Sequence, residues 1–239
     1  MPPVYRGAMT DRPYVVLSCA ISVDGFLDDT TDQRLILSSP TDLDRVDEVR
    51  ASVDAILVGA NTIRRDDPRL VVRSPARRAA RAAAGRPPDP MKVTITRSGN
   101  LDPESRFFTV GDVTKLVYAA SGVVATASAA LPAATVVDAG DPPELTRILG
   151  DLRNRGVRRL MVEGGGRILS WFVSERLADE LHLVIAPRFV GDPKAPRWLS
   201  DGAAPPSGLE LWETRQLGDC VLLRYGLRPR DDEPLGDHR

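Results

Sequence analysis

The sequence predicts a three-layer α/β/α sandwich around a mixed central sheet, and three observations support this fold class. Short apolar segments typical of buried strands alternate with segments of helical periodicity along most of the chain. Two of the expected strands end in glycine directly before a helix, as strands do in open α/β sheets. The last two expected strands have no long helix between them, which indicates antiparallel strands at one edge.

Strands are expected where short apolar runs are bounded by turn residues. They cover residues 14–21, 55–58, 92–96, 116–119, 157–162, 180–186 and 220–225. Helical periodicity predicts helices over residues 42–52, 144–155 and 167–175. Thr41 or Asp42 is the expected N-cap of the first helix, and Gly156 is expected to close the second.

Two segments need a separate interpretation. Residues 117–137 are uncharged over about the length of a membrane span, but their small polar residues and Pro132 favour a strand, a short helix and another strand. The arginine- and alanine-rich residues 73–90 are expected to form a mobile surface loop with one helical turn at most. The alternative for this segment is a phosphate-binding flap with Arg73 at its root.

The composition is that of an ordinary soluble protein, with 42% apolar and 27% charged residues in a chain of 239. A single domain over residues 12–227 is expected between disordered tails at residues 1–11 and 228–239. The formal net charge of −1 attracts neither nucleic acid nor an anionic membrane, so the expected partner is a small molecule. Cys19 and Cys220 lie in apolar strands and are expected to be buried free thiols in the reducing cytoplasm.

Histidine chemistry is not expected in this chain. His182 alternates with apolar residues and is expected on the outer face of a strand, and His238 lies in the C-terminal tail. Neither placement suits an acid–base catalyst or a metal ligand, so no metal site is expected.

The strongest local motif is MVEGGGR at residues 161–167, which is followed by the apolar helical sequence ILSWFV. Glycines let the backbone approach a ligand closely, and the free N–H groups at the start of a helix favour an anion. The motif matches neither the GxGxxG fingerprint nor a P-loop. It predicts a loop for a dinucleotide phosphate or another anion, and the alternative is a tight turn that needs glycine for packing.

A second motif, VGANTIRRDDPRL at residues 58–70, also follows a buried strand. Asn61 and Thr62 offer hydrogen-bonding side chains at its strand-to-helix turn, and two such turns in one sheet can hold the two halves of a dinucleotide. Asp66 and Asp67 precede Pro68, which is more typical of a turn than of a catalytic pair. The sequence SVDG at residues 22–25 is a turn motif as well, and it leaves open whether the segment belongs to a site.

Three stretches together resemble the reductase domain of riboflavin biosynthesis. They are PYVVLSCAISVDGFL, VRASVDAILVGANTIRRDDPRLVVR, and LMVEGGGRILSWFV with DELHLVIAPRFVG. The likeness runs from about residue 13 to residue 226. It extends to the bacterial bifunctional deaminase–reductase and to the stand-alone diaminopyrimidine reductase of archaea and fungi. No stretch resembles the zinc-binding deaminase half, so the stand-alone form is the nearer likeness.

The resemblance implies a dihydrofolate-reductase-like fold and NADPH as the cofactor, with NADH as the alternative. It also implies hydride transfer to C1′ of the ribosylamino group of a phosphorylated pyrimidine, and it assigns no residue to acid–base catalysis. The family's cofactor positions fall on Ala20, Thr62, Asp66, Ser98 and the loop from Gly164 through Gly165, Gly166, Arg167, Ile168 and Leu169 to Trp171. Asn61 is a further cofactor candidate because of its place in the strand-to-helix turn. The substrate positions fall on Arg34, Arg50, Leu70, Arg73 and Glu163.

The departures from the family pattern lie at the substrate end. Ser18 stands where the bacterial enzymes have lysine, and Arg34 and Ile36 stand where they have serine and tryptophan. Two alternatives therefore remain open. One is a paralogue that reduces a dihydropterin or another heterocycle of secondary metabolism, and the other is a nucleotide-binding module without catalysis.

A homodimer is also expected. Leu181, Leu183 and Ile185 alternate along one strand, and residues 220–225 form another strongly apolar strand that would be a liability at an open edge. The alternative is that both strands are interior to one sheet.

Overall fold

A computed structural model of the chain describes residues 11–31, 33, 35–199 and 208–227. The two expected tails fall outside the described residues, apart from Asp11. The substrate candidate Arg34 falls outside them as well.

A sheet of nine strands is the centre of the fold in the described part of the chain. The strands are β1 (Tyr14–Ser22), β2 (Ala55–Gly59), β3 (Met91–Thr96), β4 (Lys115–Ala119), β5 (Thr135–Asp138), β6 (Arg159–Val162), β7 (Glu180–Ala186), β8 (Glu210–Leu217) and β9 (Cys220–Gly226). Their order is β5-β4-β3-β2-β6-β1-β7-β9-β8. The first seven strands in this order are parallel, whereas β9 pairs antiparallel with β7 and β8. The predicted mixed sheet with antiparallel C-terminal strands is confirmed.

Helices cover both faces of the sheet and give the predicted three layers. They are α1 (Pro40–Ser52), α2 (Ala60–Asp66), α3 (Pro75–Ala83), α4 (Arg106–Thr109), α5 (Val124–Ala130), α6 (Leu145–Asn154) and α7 (Gly166–Ser174). On one face α6 and α7 bury Ile148 and Phe172 against the strands. On the other face α2 and α4 bury Ile63 and Phe107. Each such side chain contributes about 1.5–3 kcal/mol through burial.

The first helix begins earlier than predicted. Its N-cap is Ser39, not Thr41 or Asp42, and the Ser39 hydroxyl accepts a hydrogen bond from the Asp42 N–H at 3.1 Å. Pro40 follows in the first turn, where a missing N–H costs little. The apolar pattern that identifies this helix starts only at Leu43, so periodicity placed the start too late.

The arginine- and alanine-rich segment is not a mobile loop, so this prediction was wrong. Pro75–Ala83 form α3, with Ser74 as its N-cap. Arg81 is buried and donates hydrogen bonds to the carbonyl groups of Ala51 and Val53. Arg81 therefore connects α3 to Ala51, near the end of α1, and to Val53, just before β2. The amino-acid composition of the segment does not reveal these contacts.

His182 lies inside the structure rather than on an outer face, so this prediction was also wrong. β1 and β9 flank β7 on its two sides. Arg45 of α1 covers the third side, with its Nη1 3.1 Å from Nδ1 of His182. The alternation of residues along β7 indicates which face of the sheet His182 occupies, but it does not indicate that α1 covers this face.

β8 was not predicted, and it changes which strand forms the edge. Its sequence ELWETRQL is mostly polar and half of its residues are exposed, so it lacks the apolar run by which a buried strand is recognised. β9, which was expected to be apolar at an open edge, lies between β7 and β8. The alternative that both β7 and β9 are interior strands is therefore correct.

Two further expectations are confirmed. Residues 117–137 form most of β4, then α5, then β5. Cys19 and Cys220 are buried free thiols, and burial raises the pKa of Cys19 to about 12. Among the described residues, no helix has the length and apolar character needed to cross a membrane.

Candidate cofactor and substrate site

The candidate site lies at the carboxyl ends of β2, β6 and β1, which are neighbours in the sheet. Ligands gather at this edge of open parallel sheets. The Glu163 N–H donates to the Leu57 carbonyl at 3.0 Å, and the Gly59 N–H donates to the Gly164 carbonyl at 2.9 Å. Direct hydrogen bonds therefore join the two glycine-containing motifs, which are far apart in the sequence.

Packing explains two of the glycines at this edge. A Cβ atom at Gly59 would lie 2.9 Å from Cγ1 of Ile168, and one at Gly166 would lie 2.5 Å from a backbone carbonyl oxygen of a neighbouring loop. Gly165 differs, because a Cβ atom there would meet only Oγ1 of Thr62, at 3.4 Å. α7 begins at this point without a side-chain cap. The backbone at Gly165 is therefore open to close approach by a ligand, whereas packing accounts for Gly59 and Gly166.

The other cofactor candidates lie in β1, in α2, in the turn after β3 and in α7. Half-buried or exposed residues there are Ala20, Asn61, Thr62, Asp66, Ser98, Arg167, Ile168 and Trp171. Leu169 is the exception, since its side chain is 1% exposed and packs in the core. Nη1 of Arg64 donates to the Asn100 carbonyl at 2.9 Å, which connects α2 to the turn that carries Ser98.

Arg50 and Glu163, two of the substrate candidates, form one ion pair. Nε and Nη2 of Arg50 each lie 2.6 Å from a different oxygen of the Glu163 carboxylate, in a bidentate arrangement. The two side chains are 14% and 15% exposed. Burial acts to lower the pKa of Arg50, but the Glu163 carboxylate more than offsets this and holds the pKa above its ordinary value. Nη1 of Arg50 also donates to the Val71 carbonyl at 3.2 Å, so the pair adjoins the loop after α2.

Leu70 and Arg73 lie in that loop, which Asp47 of α1 holds in place. Leu70 has a φ of +49° and a side chain that is 1% exposed, so only its backbone is available to a substrate. Asp47 accepts hydrogen bonds from the N–H groups of Arg73 and Ser74. Burial acts to raise the pKa of Asp47, but these hydrogen bonds hold it below its ordinary value. The Arg73 side chain is half exposed and donates to the Leu43 carbonyl at 3.2 Å.

The SVDG segment is a turn that joins two loops. The Asp24 carboxylate accepts hydrogen bonds from the Ser22 hydroxyl at 2.6 Å and from the Gly191 N–H at 2.8 Å. Gly25 has a φ of +90°, which favours glycine. The turn interpretation is therefore correct, and the loop after β1 is held against the loop after β7.

A second charged cluster lies between α1, β7 and β9. Glu180 accepts hydrogen bonds from Nε of Arg224 at 3.0 Å and from Nε2 of His182 at 2.7 Å. Arg45 can only donate, so its contact with Nδ1 of His182 leaves the ring proton on Nε2. Burial lowers the pKa of His182 below its ordinary value, although Glu180 opposes this effect. The geometry gives His182 a structural role in joining these three elements.

Comparisons with known proteins identify the family. The RibD C-terminal domain family model matches residues 13–223. Two similar proteins are 2,5-diamino-6-ribosylamino-4(3H)-pyrimidinone 5′-phosphate reductases. The protein of Archaeoglobus fulgidus is 35% identical over 188 residues, which are 77% of this chain and 85% of that protein. The protein of Methanothermobacter thermautotrophicus is 33% identical over 223 residues, which are 91% of this chain and 99% of that protein.

Solved structures share the fold. A pyrimidine reductase-like protein of Corynebacterium diphtheriae has a TM-score of 0.75 at 20% identity, over 91% of this chain and 93% of that chain. The riboflavin biosynthesis reductase of Saccharomyces cerevisiae has a TM-score of 0.67 at 17% identity, over 93% of each chain. These likenesses confirm the predicted α/β fold of the dihydrofolate-reductase-like class. With the sequence match over most of its length, the chain belongs to the RibD C-terminal domain family, a family of reductases.

Proposed function

We propose that the protein is an NADPH-dependent reductase that converts a ribosylamino-pyrimidine 5′-phosphate into its ribitylamino form. One observation carries the proposal: the Arg50–Glu163 ion pair adjoins the glycine loop directly at the carboxyl end of β6. The names of the two similar reductases support this substrate class. A cytoplasmic location is part of the proposal and is supported by the free thiols of Cys19 and Cys220.

The residues at the glycine loop fit a dinucleotide cofactor. The uncapped start of α7 and the open side of Gly165 next to Thr62 suit a phosphate that approaches the backbone closely. When bound, the cofactor supplies the hydride. The contribution of this chain is to bind the cofactor and to align its ring with the substrate carbon.

Glu163 is proposed to accept hydrogen bonds from the pyrimidine amino groups. Each of its oxygens accepts one hydrogen bond from Arg50 and retains a second lone pair for a ligand. Arg50 therefore fixes the orientation of the carboxylate. Arg73, whose side chain is half exposed, is proposed to bind the 5′-phosphate.

The proposed reaction demands little acid–base chemistry from the protein. Opening of an N-riboside gives an imine. This imine accepts hydride at C1′ and a solvent-derived proton at its nitrogen, which gives the ribitylamino product. His182, the one histidine among the described residues, is committed to the buried cluster. The site therefore works through alignment of the two reacting carbons and exclusion of water.

Oxidation of NADPH with a panel of substrates tests the proposed function. The panel contains pyrimidine ribosylamine 5′-phosphates, dihydropterins and folates. Turnover of the first class alone is the expected result. Preferred turnover of a pterin or folate would replace the proposal with the paralogue, and cofactor binding without any turnover would replace it with a non-catalytic module.

Substitution of Gly165 by valine is expected to raise the Kd of NADPH at least tenfold, about 1.4 kcal/mol. The valine side chain would occupy the open space beside Thr62 while the backbone, which does not need a positive φ here, keeps its shape. Gly150→Val in α6 is the matched control, because a Cβ atom at Gly150 has no neighbour within 4 Å. Cofactor titration and thermal unfolding are measured together. A folded Gly165→Val protein with the wild-type Kd would reduce the loop to a tight turn.

Substitution of Arg73 by alanine is expected to raise KM for a phosphorylated substrate by an amount equivalent to about 2–3 kcal/mol, the scale of a charge-assisted hydrogen bond. KM for the dephosphorylated substrate should change much less, because the lost partner is the phosphate. Arg69→Ala removes an exposed arginine of the same loop and serves as the control. Equal losses on both substrates would remove Arg73 from phosphate binding.

We also propose a homodimer. Its basis is now an apolar face of β7 and β9 and no longer an open edge strand. Leu183 lies opposite Leu223, Ile185 lies opposite Val221, and these four side chains share one face of β7 and β9. Val221 is 37% exposed on this face. Burial of such an apolar face between two copies would remove it from water. Light scattering at micromolar concentration is expected to give twice the monomer mass, and a value near 26.0 kDa across a wide dilution range would end the proposal.

A further inference from the structure

A cleft beside the candidate cofactor site has a positively charged lining. The cleft has a volume of about 510 Å³ and is lined by Asp29, Thr30, Thr31, Arg64, Arg65, Lys194 and Pro196. Three cations and one carboxylate thus line the same space. Such a lining favours an anionic ligand.

Two of the three cations have no ionic partner in the described part of the chain. Arg64 is exposed and donates only to a backbone carbonyl, that of Asn100. Lys194 is exposed too, and its one hydrogen bond there is made by its backbone N–H. Arg65 is partly neutralised by Asp28, whose Oδ2 lies 3.4 Å away. An anion in the cleft would relieve the repulsion among these cations.

Asp29 offsets only part of this positive charge. Its Oδ1 accepts hydrogen bonds from the N–H and the hydroxyl of Thr31, at 2.8 and 2.6 Å. The carboxylate is thereby engaged within its own loop. Thr30 likewise donates its hydroxyl to Asp192, at 2.8 Å. The side chains left to meet a ligand in the cleft are therefore the cations.

A backbone segment connects the cleft to the glycine loop. The Leu27 N–H donates to the Pro196 carbonyl at 2.8 Å, which ties the loop after β1 to the segment that carries Lys194. The next residue, Arg197, places its carbonyl oxygen 2.5 Å from the position of a Cβ atom at Gly166. The segment from Lys194 to Arg197 therefore runs from the cleft to the start of α7.

α2 makes the same connection from the other side. Thr62, which faces Gly165, is followed in this helix by Arg64 and Arg65. The bond from Arg64 to Asn100 then reaches the turn that carries Ser98. A dinucleotide held at the glycine loop would pass the three cations on its way to this turn.

We propose that Arg64, Arg65 and Lys194 bind a phosphate group of the dinucleotide cofactor, an inference that rests on the proposed function. Guanidinium and ammonium groups are the usual protein partners of phosphate. The cofactor offers this chemistry in two places. The pyrophosphate is common to NADPH and NADH, whereas the 2′-phosphate belongs to NADPH alone.

The test measures the Kd of NADPH, NADH, 2′,5′-ADP and ribose 5-phosphate for the wild type and for the double variant Arg64→Glu/Lys194→Glu. The control is Arg158→Glu/Arg176→Glu, which makes the same change of charge at two exposed arginines away from the cleft. The double variant is expected to bind NADPH at least 100-fold more weakly, while the control variant binds within about twofold of wild type. Loss confined to NADPH and 2′,5′-ADP assigns the cleft to the 2′-phosphate, and equal loss for NADPH and NADH assigns it to the pyrophosphate.

Two results would overturn the proposal. One is unchanged cofactor affinity in a double variant that unfolds at the wild-type temperature. The other is weaker binding of ribose 5-phosphate alone, which would assign the cleft to the substrate. The binding assay contains no pyrimidine, so failure of the proposed substrate in the turnover panel is observed separately. A wild-type chain that binds neither dinucleotide would overturn both proposals together.

Discussion

Replacing Glu180 with glutamine is expected to lower the free energy of unfolding by about 3–5 kcal/mol. Glu180 is 2% exposed and pairs with Arg224, Arg159 and His182. Glutamine keeps the shape of the side chain but removes its charge, so two guanidinium groups lose a buried partner. Equilibrium unfolding in urea measures the change.

Glu213 provides the control for this effect. It also pairs with Arg224, at 2.6 Å, but its side chain is 28% exposed. Glu213→Gln is therefore expected to cost less than about 1 kcal/mol, as exposed ion pairs do. Equal losses from the two variants would contradict the stabilising role assigned to the buried carboxylate.

The same cluster predicts a loss of stability in acid. Burial acts to raise the pKa of Glu180, but hydrogen bonds from His182 and Arg224 lower it from 4.5 to about 2. A carboxyl group with a lowered pKa stabilises the folded state above pH 4.5, and this contribution of about 3 kcal/mol is lost as the pH falls towards 2.

His182 acts in the same direction. Burial lowers its pKa from 6.5, so the unfolded chain takes up the proton first as the pH falls. The Glu180 contribution is tested by the difference in stability between wild type and Glu180→Gln, which should shrink as the pH falls from about 4.5 towards 2. A difference that stays constant over this range would contradict the ionised buried state of Glu180.

The sheet and the glycine loop were predictable because the sequence patterns that indicate them are local. β1, β2 and β6 are apolar runs, and the three glycines follow β6 directly, so each feature is visible within a few residues. α3 and β8 have no such pattern. α3 is held by hydrogen bonds from Arg81 to the carbonyl groups of Ala51 and Val53, and β8 is held by its pairing with β9.

The members of the candidate substrate site could be named from the sequence, but their contacts could not. Arg50 and Glu163 are 113 positions apart, so no local pattern indicates their ion pair. Asp47 was missed for a related reason, since its function is to order the backbone at Arg73 and Ser74. A carboxylate that positions other groups belongs to no recognisable motif, and its role becomes visible only when the chain is folded.

Replacing Glu163 with glutamine is expected to lower kcat/KM for a pyrimidine 5′-phosphate by about 2–3 kcal/mol, or roughly 30- to 150-fold. The amide turns one of the two acceptor positions into a donor, which opposes the Arg50 guanidinium or an amino group of the pyrimidine. The Kd of NADPH should change by less than about twofold, because the Glu163 carboxylate is not among the proposed cofactor contacts. Steady-state kinetics and cofactor titration measure the two quantities.

Asp179 gives a matched control for this substitution. It forms a bidentate pair with Arg12 at 2.7 and 2.8 Å, and its side chain is 11% exposed. This pair lies at the amino end of β1 and β7, the opposite edge of the sheet from Glu163. Asp179→Asn is therefore expected to lower stability as Glu163→Gln does, while kcat/KM changes little. A fall in kcat/KM that both variants share would show that Glu163 acts through structure alone, whereas a fall confined to Glu163→Gln would place its carboxylate against the substrate.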